Sequence, residues 1–202
     1  MHLVAYIVLS MAFGIANMLL FHRCAEAFSS AAAGSLTLRL RLSRGLVVTF
    51  LVALVQALLF LLGMFVGDLL RFELPADASA FSKTNALVFL GLAVFVMLRM
   101  LMPYLKREPK LPLFNLGSNA ACAAMAFATG INLLLTGLGT GFVASLSSDL
   151  HKALWPMLIV MFLAGYWGLM LGRSKVSIRP KVWMIVASLL MLAVAFFATI
   201  TA

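Results

Sequence analysis

Leu46-Val47-Val48-Thr49-Phe50-Leu51-Val52-Ala53-Leu54-Val55-Gln56-Ala57-Leu58-Leu59-Phe60-Leu61-Leu62-Gly63-Met64-Phe65-Val66-Gly67-Asp68-Leu69-Leu70 carries one hydroxyl and one amide before its first charge, Asp68, close to its end. A hydrocarbon core roughly 30 Å thick takes about 20 such residues as a helix, and a helix satisfies its own backbone polar groups where no water does. The stretch reads as a transmembrane span. Five runs of the same kind flank it, over residues 3–21, 85–105, 118–146, 153–172 and 182–201. With 202 residues, six spans and their short connections leave no room for a soluble domain. The expected fold is an all-α membrane protein of six transmembrane helices in a single domain.

Composition agrees: 64% hydrophobic and 10% charged residues, with a mean hydropathy of +1.12, lie far outside the globular range. The net charge of +9 belongs to the connections and reads as topology rather than as a nucleic-acid surface. Arg23, Arg39, Arg41 and Arg44 follow the first span, and Arg71 and Lys83 sit among Glu73 and Asp77 after the second. Lys106, Arg107 and Lys110 follow the third, Lys152 stands alone after the fourth, and Arg173, Lys175, Arg179 and Lys181 crowd the turn after the fifth. Cytoplasmic loops collect Lys and Arg, so the odd-numbered connections are expected in the cytoplasm of a bacterial inner-membrane protein, with both termini outside. Only Met1 and His2 precede the first span while His22 and Arg23 follow it, the reverse of a cleaved leader. Leu36 to Arg44, which mixes apolar and basic residues, is expected to lie along the anionic leaflet.

Three spans per half is an odd number, so related halves must be inverted in the membrane. Ala12-Phe13-Gly14-Ile15-Ala16-Asn17 resembles Ala128-Thr129-Gly130-Ile131-Asn132, and Leu62-Gly63-Met64-Phe65-Val66-Gly67 is echoed by Trp167-Gly168-Leu169-Met170-Leu171-Gly172. The first repeat is expected over about 1–105 and the second over about 118–202. Gly137, Gly139 and Gly141 interrupt a fourth span too long for one upright helix. They imply either a break that lines a cavity or a close approach of neighbouring helices.

Few polar residues fall at depth: Asn17, Gln56, Arg99, Asn119 and Asn132, with hydroxyls at Ser10, Thr49 and Thr129. Asp68 lies beside Arg71 at the outer interface, so no carboxylate is expected near the midplane. A pseudo-twofold axis would bring Asn17 and Asn132 together with Gln56 between them, where transporters place a substrate; alternatively, the amides only bond helix to helix. Arg99 either snorkels to the interface or faces the cavity and attracts an anionic solute.

Over nearly its full length the chain resembles the manganese efflux pump (MntP) family of the lysine-exporter superfamily. Ala128 to Asn132 fits that family's fourth-helix motif with Asn132 in the aspartate position, and Leu54 to Gly63 fits the second-helix motif with Gln56 in the glutamate position. Phe13 to Asn17 resembles the first-helix motif with Asn17 displaced by one residue; aligned on the glycine, Ala16 takes the acid's place. Leu98-Arg99-Met100 is similar to a family Arg-Met pair, and Leu169 to Arg173 resembles the end of the fifth helix. The resemblance implies six spans in two inverted halves and a substrate site at Asn17, Gln56, Asn132, Thr129 and Arg99. Every acidic position it implies is an amide or an apolar residue here. Divalent cations are held by oxygen ligands including carboxylates, and an amide neither balances the charge nor titrates near neutral pH. Proton-coupled metal export is therefore not expected.

The expectation is a carrier-type protein diverged to a neutral or anionic small solute, or a non-transporting subunit that binds other membrane proteins. Beyond the lipid bilayer, such subunits are the only macromolecular partners expected. No cofactor, metal or nucleic acid is expected. Met97, Met100 and Met102 read as packing rather than as copper ligands. Cys24 and Cys122 read as packed thiols; a thiol-carrier pair is the competing reading. His22 and His151 are left as loop histidines with no nucleophile beside them, so an enzyme is not expected.

Overall fold

The computed structural model describes residues 2–31, 42–71, 78–106, 113–143, 146, 150–174 and 176–201. They form six helices: α1 (His2–Ala31), α2 (Leu42–Leu70), α3 (Ala78–Leu105), α4 (Asn119–Phe142), α5 (Leu150–Arg173) and α6 (Pro180–Thr201). Each contains a stretch long and apolar enough to cross a bilayer, and no strand occurs among the described residues. The chain is an all-α, multi-pass membrane protein.

Several boundaries differ from the sequence reading. α1 continues past Phe21 to Ala31, and α3 begins at Ala78 rather than at Asn85, because a helical hydrogen-bond ladder continues into polar sequence beyond the hydrocarbon edge. Of the stretch expected along the leaflet, residues 36–41 lie outside the described residues, and Leu42, Ser43 and Arg44 open α2. The fourth span is shorter than expected. Ser118 caps its start, its hydroxyl accepting from Ala121 N at 3.4 Å, and extended backbone at Val143 ends it. Its 24 residues rise about 36 Å, enough for one helix to cross with a modest tilt.

α4 is continuous through Gly137, Gly139 and Gly141, which corrects the broken-helix alternative. The glycines serve packing instead. A methyl group on Gly137 would overlap the carbonyl oxygen of Phe60, and one on Gly141 that of Met64; from the other side, Gly63 and Gly67 lie on the carbonyls of Leu134 and Leu138. Gly139 faces the Phe89 ring of α3. α1 and α5 meet in the same way, with Gly168 on the carbonyl of Met18 and Gly172 on that of His22. Lipid tails are as apolar as leucine, so helices associate in a bilayer through close contact and interhelical hydrogen bonds, and glycine allows the contact. These two seams, α2 with α4 and α1 with α5, are the closest pairings in the fold. α2 also packs on α5, α1 on α6, and α3 on both α4 and α6.

Phe13, Phe60, Phe89, Met64, Met157, Met161 and Met191 share the main core, while Phe21, Cys24, Leu116, Met125 and Leu169 form a smaller one. The buried Tyr6 satisfies its polar tip by donating to the Leu146 carbonyl.

Candidate functional site

An amide buried in a bilayer needs partners, because neither water nor lipid supplies them at depth. Asn17 on α1 and Gln56 on α2 are 3% and 0% exposed, and they supply each other. Asn17 Nδ2 donates to Gln56 Oε1 at 2.6 Å, and Gln56 Nε2 donates back to Asn17 Oδ1 at 3.0 Å. The second Nε2 proton reaches Thr129 Oγ1 on α4 at 2.5 Å. Thr129 in turn donates to the Met125 carbonyl at 2.8 Å, one turn back on its own helix, which leaves its lone pairs for Gln56. The cluster is electroneutral and has no proton to release near neutral pH. It also links the two seams, since Asn17 belongs to the α1·α5 pair and Gln56 to the α2·α4 pair.

Asn132 makes no side-chain hydrogen bond to the cluster. Its backbone carbonyl accepts from Thr136 at 2.9 Å, while its side-chain Oδ1 is buried without a hydrogen-bond partner. Asn132 follows Gly130 by two residues whereas Asn17 follows Gly14 by three, and one residue turns a side chain about 100° around a helix. Thr129, a turn earlier on α4, takes the place expected for Asn132 as third member. Arg99 is not part of the cluster: it is exposed on α3 among the exposed Phe95, Leu98 and Met102, the outward face from which a guanidinium snorkels.

Of the remaining polar positions, Ser10 and Thr49 bond to carbonyls of their own helices, Tyr6 and Gly45. Asn119 lies in the exposed first turn of α4 rather than at depth, and accepts from Arg44 at 3.1 Å. Asp68 pairs with Arg71 at 3.2 Å at the end of α2. His22, read as a solvated loop histidine, is buried because α1 runs on through it, and its Nε2 lies 2.7 Å from the Val176 carbonyl. Cys24 and Cys122 are free thiols that meet the same short segment: Phe114 N donates to Cys24 Sγ at 3.5 Å, and Cys122 Sγ donates to the Leu116 carbonyl at 3.7 Å. Asn85 and Arg23 were not singled out from sequence, yet each holds a buried side-chain atom without a hydrogen-bond partner, Oδ1 and Nη1 respectively. Their places at span ends, where polar residues are ordinary, hid them. Among the described residues no group of three or more His, Cys, Asp or Glu is placed to hold a metal ion.

Fold and site together define a multi-pass membrane protein whose polar core is neutral and hydrogen-bonded across three helices. No family model, curated protein or solved structure matches the chain.

Proposed function

We propose that this chain is an inverted-repeat carrier of the bacterial inner membrane, similar in plan to the manganese efflux pumps but diverged from metal export, and that Asn17, Gln56 and Thr129 form its closed gate. The observation that carries the reading is the neutral amide cluster, hydrogen-bonded from α1 through α2 to α4, that joins the two seams. Interhelical hydrogen bonds within a membrane are each worth roughly 0.6 to 2 kcal/mol, a strength that an uncharged solute offering its own donors and acceptors can replace. The buried acceptor of Asn132, one turn from Thr129, suits such a donor. Arg99 has no part in this gate.

The repeat itself draws support from the helix seams. In the register that aligns Gly14 with Gly130 and Gly63 with Gly168, the contact of Gly63 with Leu134 corresponds to that of Gly168 with Met18. Gly67 on Leu138 then corresponds to Gly172 on His22, Gly130 on Leu59 to Gly14 on Ala164, and Gly137 on Phe60 to Gly165 on Phe21. Exchanging α1 with α4, α2 with α5 and α3 with α6 also maps the set of packed helix pairs onto itself. The charges on the connections favour cytoplasmic odd-numbered loops and outside termini.

A second reading, a non-transporting subunit of a larger membrane complex, is favoured by the reciprocal bonding in the same cluster: amides that hold each other serve as a brace. A thiol at the cluster separates the two. Asn17→Cys, in a chain with Cys24→Ala and Cys122→Ala, is introduced into sealed vesicles with a membrane-impermeant thiol reagent on one side and then the other. A gate predicts slow labelling from at least one side; no labelling from either side over hours assigns the brace.

A further inference from the structure

A groove on the outer surface between α2 and α4, separate from the amide cluster, has a volume of about 510 Å³, within the range of small-molecule pockets. Buried Val48, Val52 and Ala126 form its floor, and exposed Val47 and Leu51 its rim. Among the described residues polarity enters at one end. There Arg44, in the first turn of α2, donates through Nη2 to the Gly117 carbonyl and to Asn119 Oδ1, bridging to the start of α4. A guanidinium carries five N–H donors in a planar fork that matches phosphate oxygens, and both of these bonds leave from a single nitrogen. Among the described residues no acidic side chain lines the groove, and none occupies the first turn of α4, whose dipole presents its positive end there.

An occupant must therefore be apolar along its length and anionic at its head, and it must reach a rim that faces acyl chains. We propose that the groove binds an anionic phospholipid, with its phosphate on Arg44 and one acyl chain along Val48, Val52 and Ala126. A lipid with a zwitterionic head satisfies only the apolar part, and a free phosphate only the cationic end. The surrounding leaflet supplies the ligand without a path through the protein.

The test uses the full chain, delipidated in detergent and offered equal amounts of phosphatidylglycerol and phosphatidylcholine, with bound lipid counted by native mass spectrometry. One Arg near a membrane surface attracts anionic lipid by about 1 kcal/mol, so about fivefold more phosphatidylglycerol is expected to be retained. Arg44→Gln should bring the ratio close to one, and Ala126→Phe, which fills the floor, should lower retention of both lipids. The thiol of Cys122, on the groove wall, gives a readout that needs no variant. Its maleimide labelling, located by peptide mapping, should slow several-fold with phosphatidylglycerol vesicles and not with inorganic phosphate. Equal retention of the two lipids, a preference that survives Arg44→Gln, protection by phosphate alone, or labelling indifferent to phosphatidylglycerol would each overturn the proposal.

Discussion

The α2·α4 and α1·α5 seams share a backbone plan and differ in what fills them. Each places glycines four residues apart on the carbonyls of the facing helix, Gly63 and Gly67 on Leu134 and Leu138 in one, Gly168 and Gly172 on Met18 and His22 in the other. Beside the first seam sit Gln56 and Thr129, joined to Asn17. Met161 stands before Gly168 as Gln56 does before Gly63, Phe13 before Gly14 as Thr129 before Gly130, and Leu133 after Gly130 as Asn17 after Gly14; all three are buried in the main core. Helix approach of this kind thus requires no amide, because leucine and methionine fill the equivalent space. What the amides add is a directional, uncharged link between the two seams.

The shared plan is open to the strongest perturbation. Gly63→Val and Gly168→Val each place branched carbons into a facing carbonyl, and each is expected to lower stability in detergent by about 3 kcal/mol or more, or to prevent folding. Comparable losses in thermal unfolding would sharpen the comparison; a loss confined to one seam would break it.

The difference in filling predicts a smaller effect with a distinctive pattern. Gln56→Met alone leaves the buried groups of Asn17 unpaired and should cost about 1 to 3 kcal/mol, whereas Asn17→Leu with Gln56→Met copies Leu133 and Met161 and should recover most of that loss. Thr129 keeps its bond to Met125 in either variant. A double variant that loses the sum of the two single losses would show that the amides are not coupled.

Gly91 sets the lower end of the scale. Nothing lies within 4 Å of the Cβ it would gain, so Gly91→Ala should leave stability unchanged or raise it by about 0.5 kcal/mol. A marked loss there would mean that the glycine sensitivity of the seams is a general property of the helices rather than of their crossings.

Six spans were legible because apolar length is a composition signal, and a bilayer imposes it on every helix alike. Helix ends were less so: nothing in composition marks where α1 stops after Phe21, since hydrogen bonding rather than hydropathy sets the end. The pairing of Asn17 with Gln56 was within reach because amides at depth are few and must find partners. Asn132 stands two residues past Gly130 and Asn17 three past Gly14, an offset that a match between short motifs tolerates and that a helix converts into a different face. The continuity of α4 was also hidden. Gly137 and Gly141 read equally as a break and as a close crossing until the carbonyls of Phe60 and Met64 appear against them. The bridge from Arg44 to the start of α4 joins residues far apart in sequence, and no local pattern announces it.

A neutral lining has one consequence that ion flux reads directly. A Mn²⁺ ion stripped of water at Asn17, Gln56 and Thr129 would meet dipoles but no compensating charge. Vesicles reconstituted with the chain and loaded with a manganese-quenched dye should therefore take up Mn²⁺ no faster than protein-free vesicles. Saturable uptake that disappears with Gln56→Met would contradict the account.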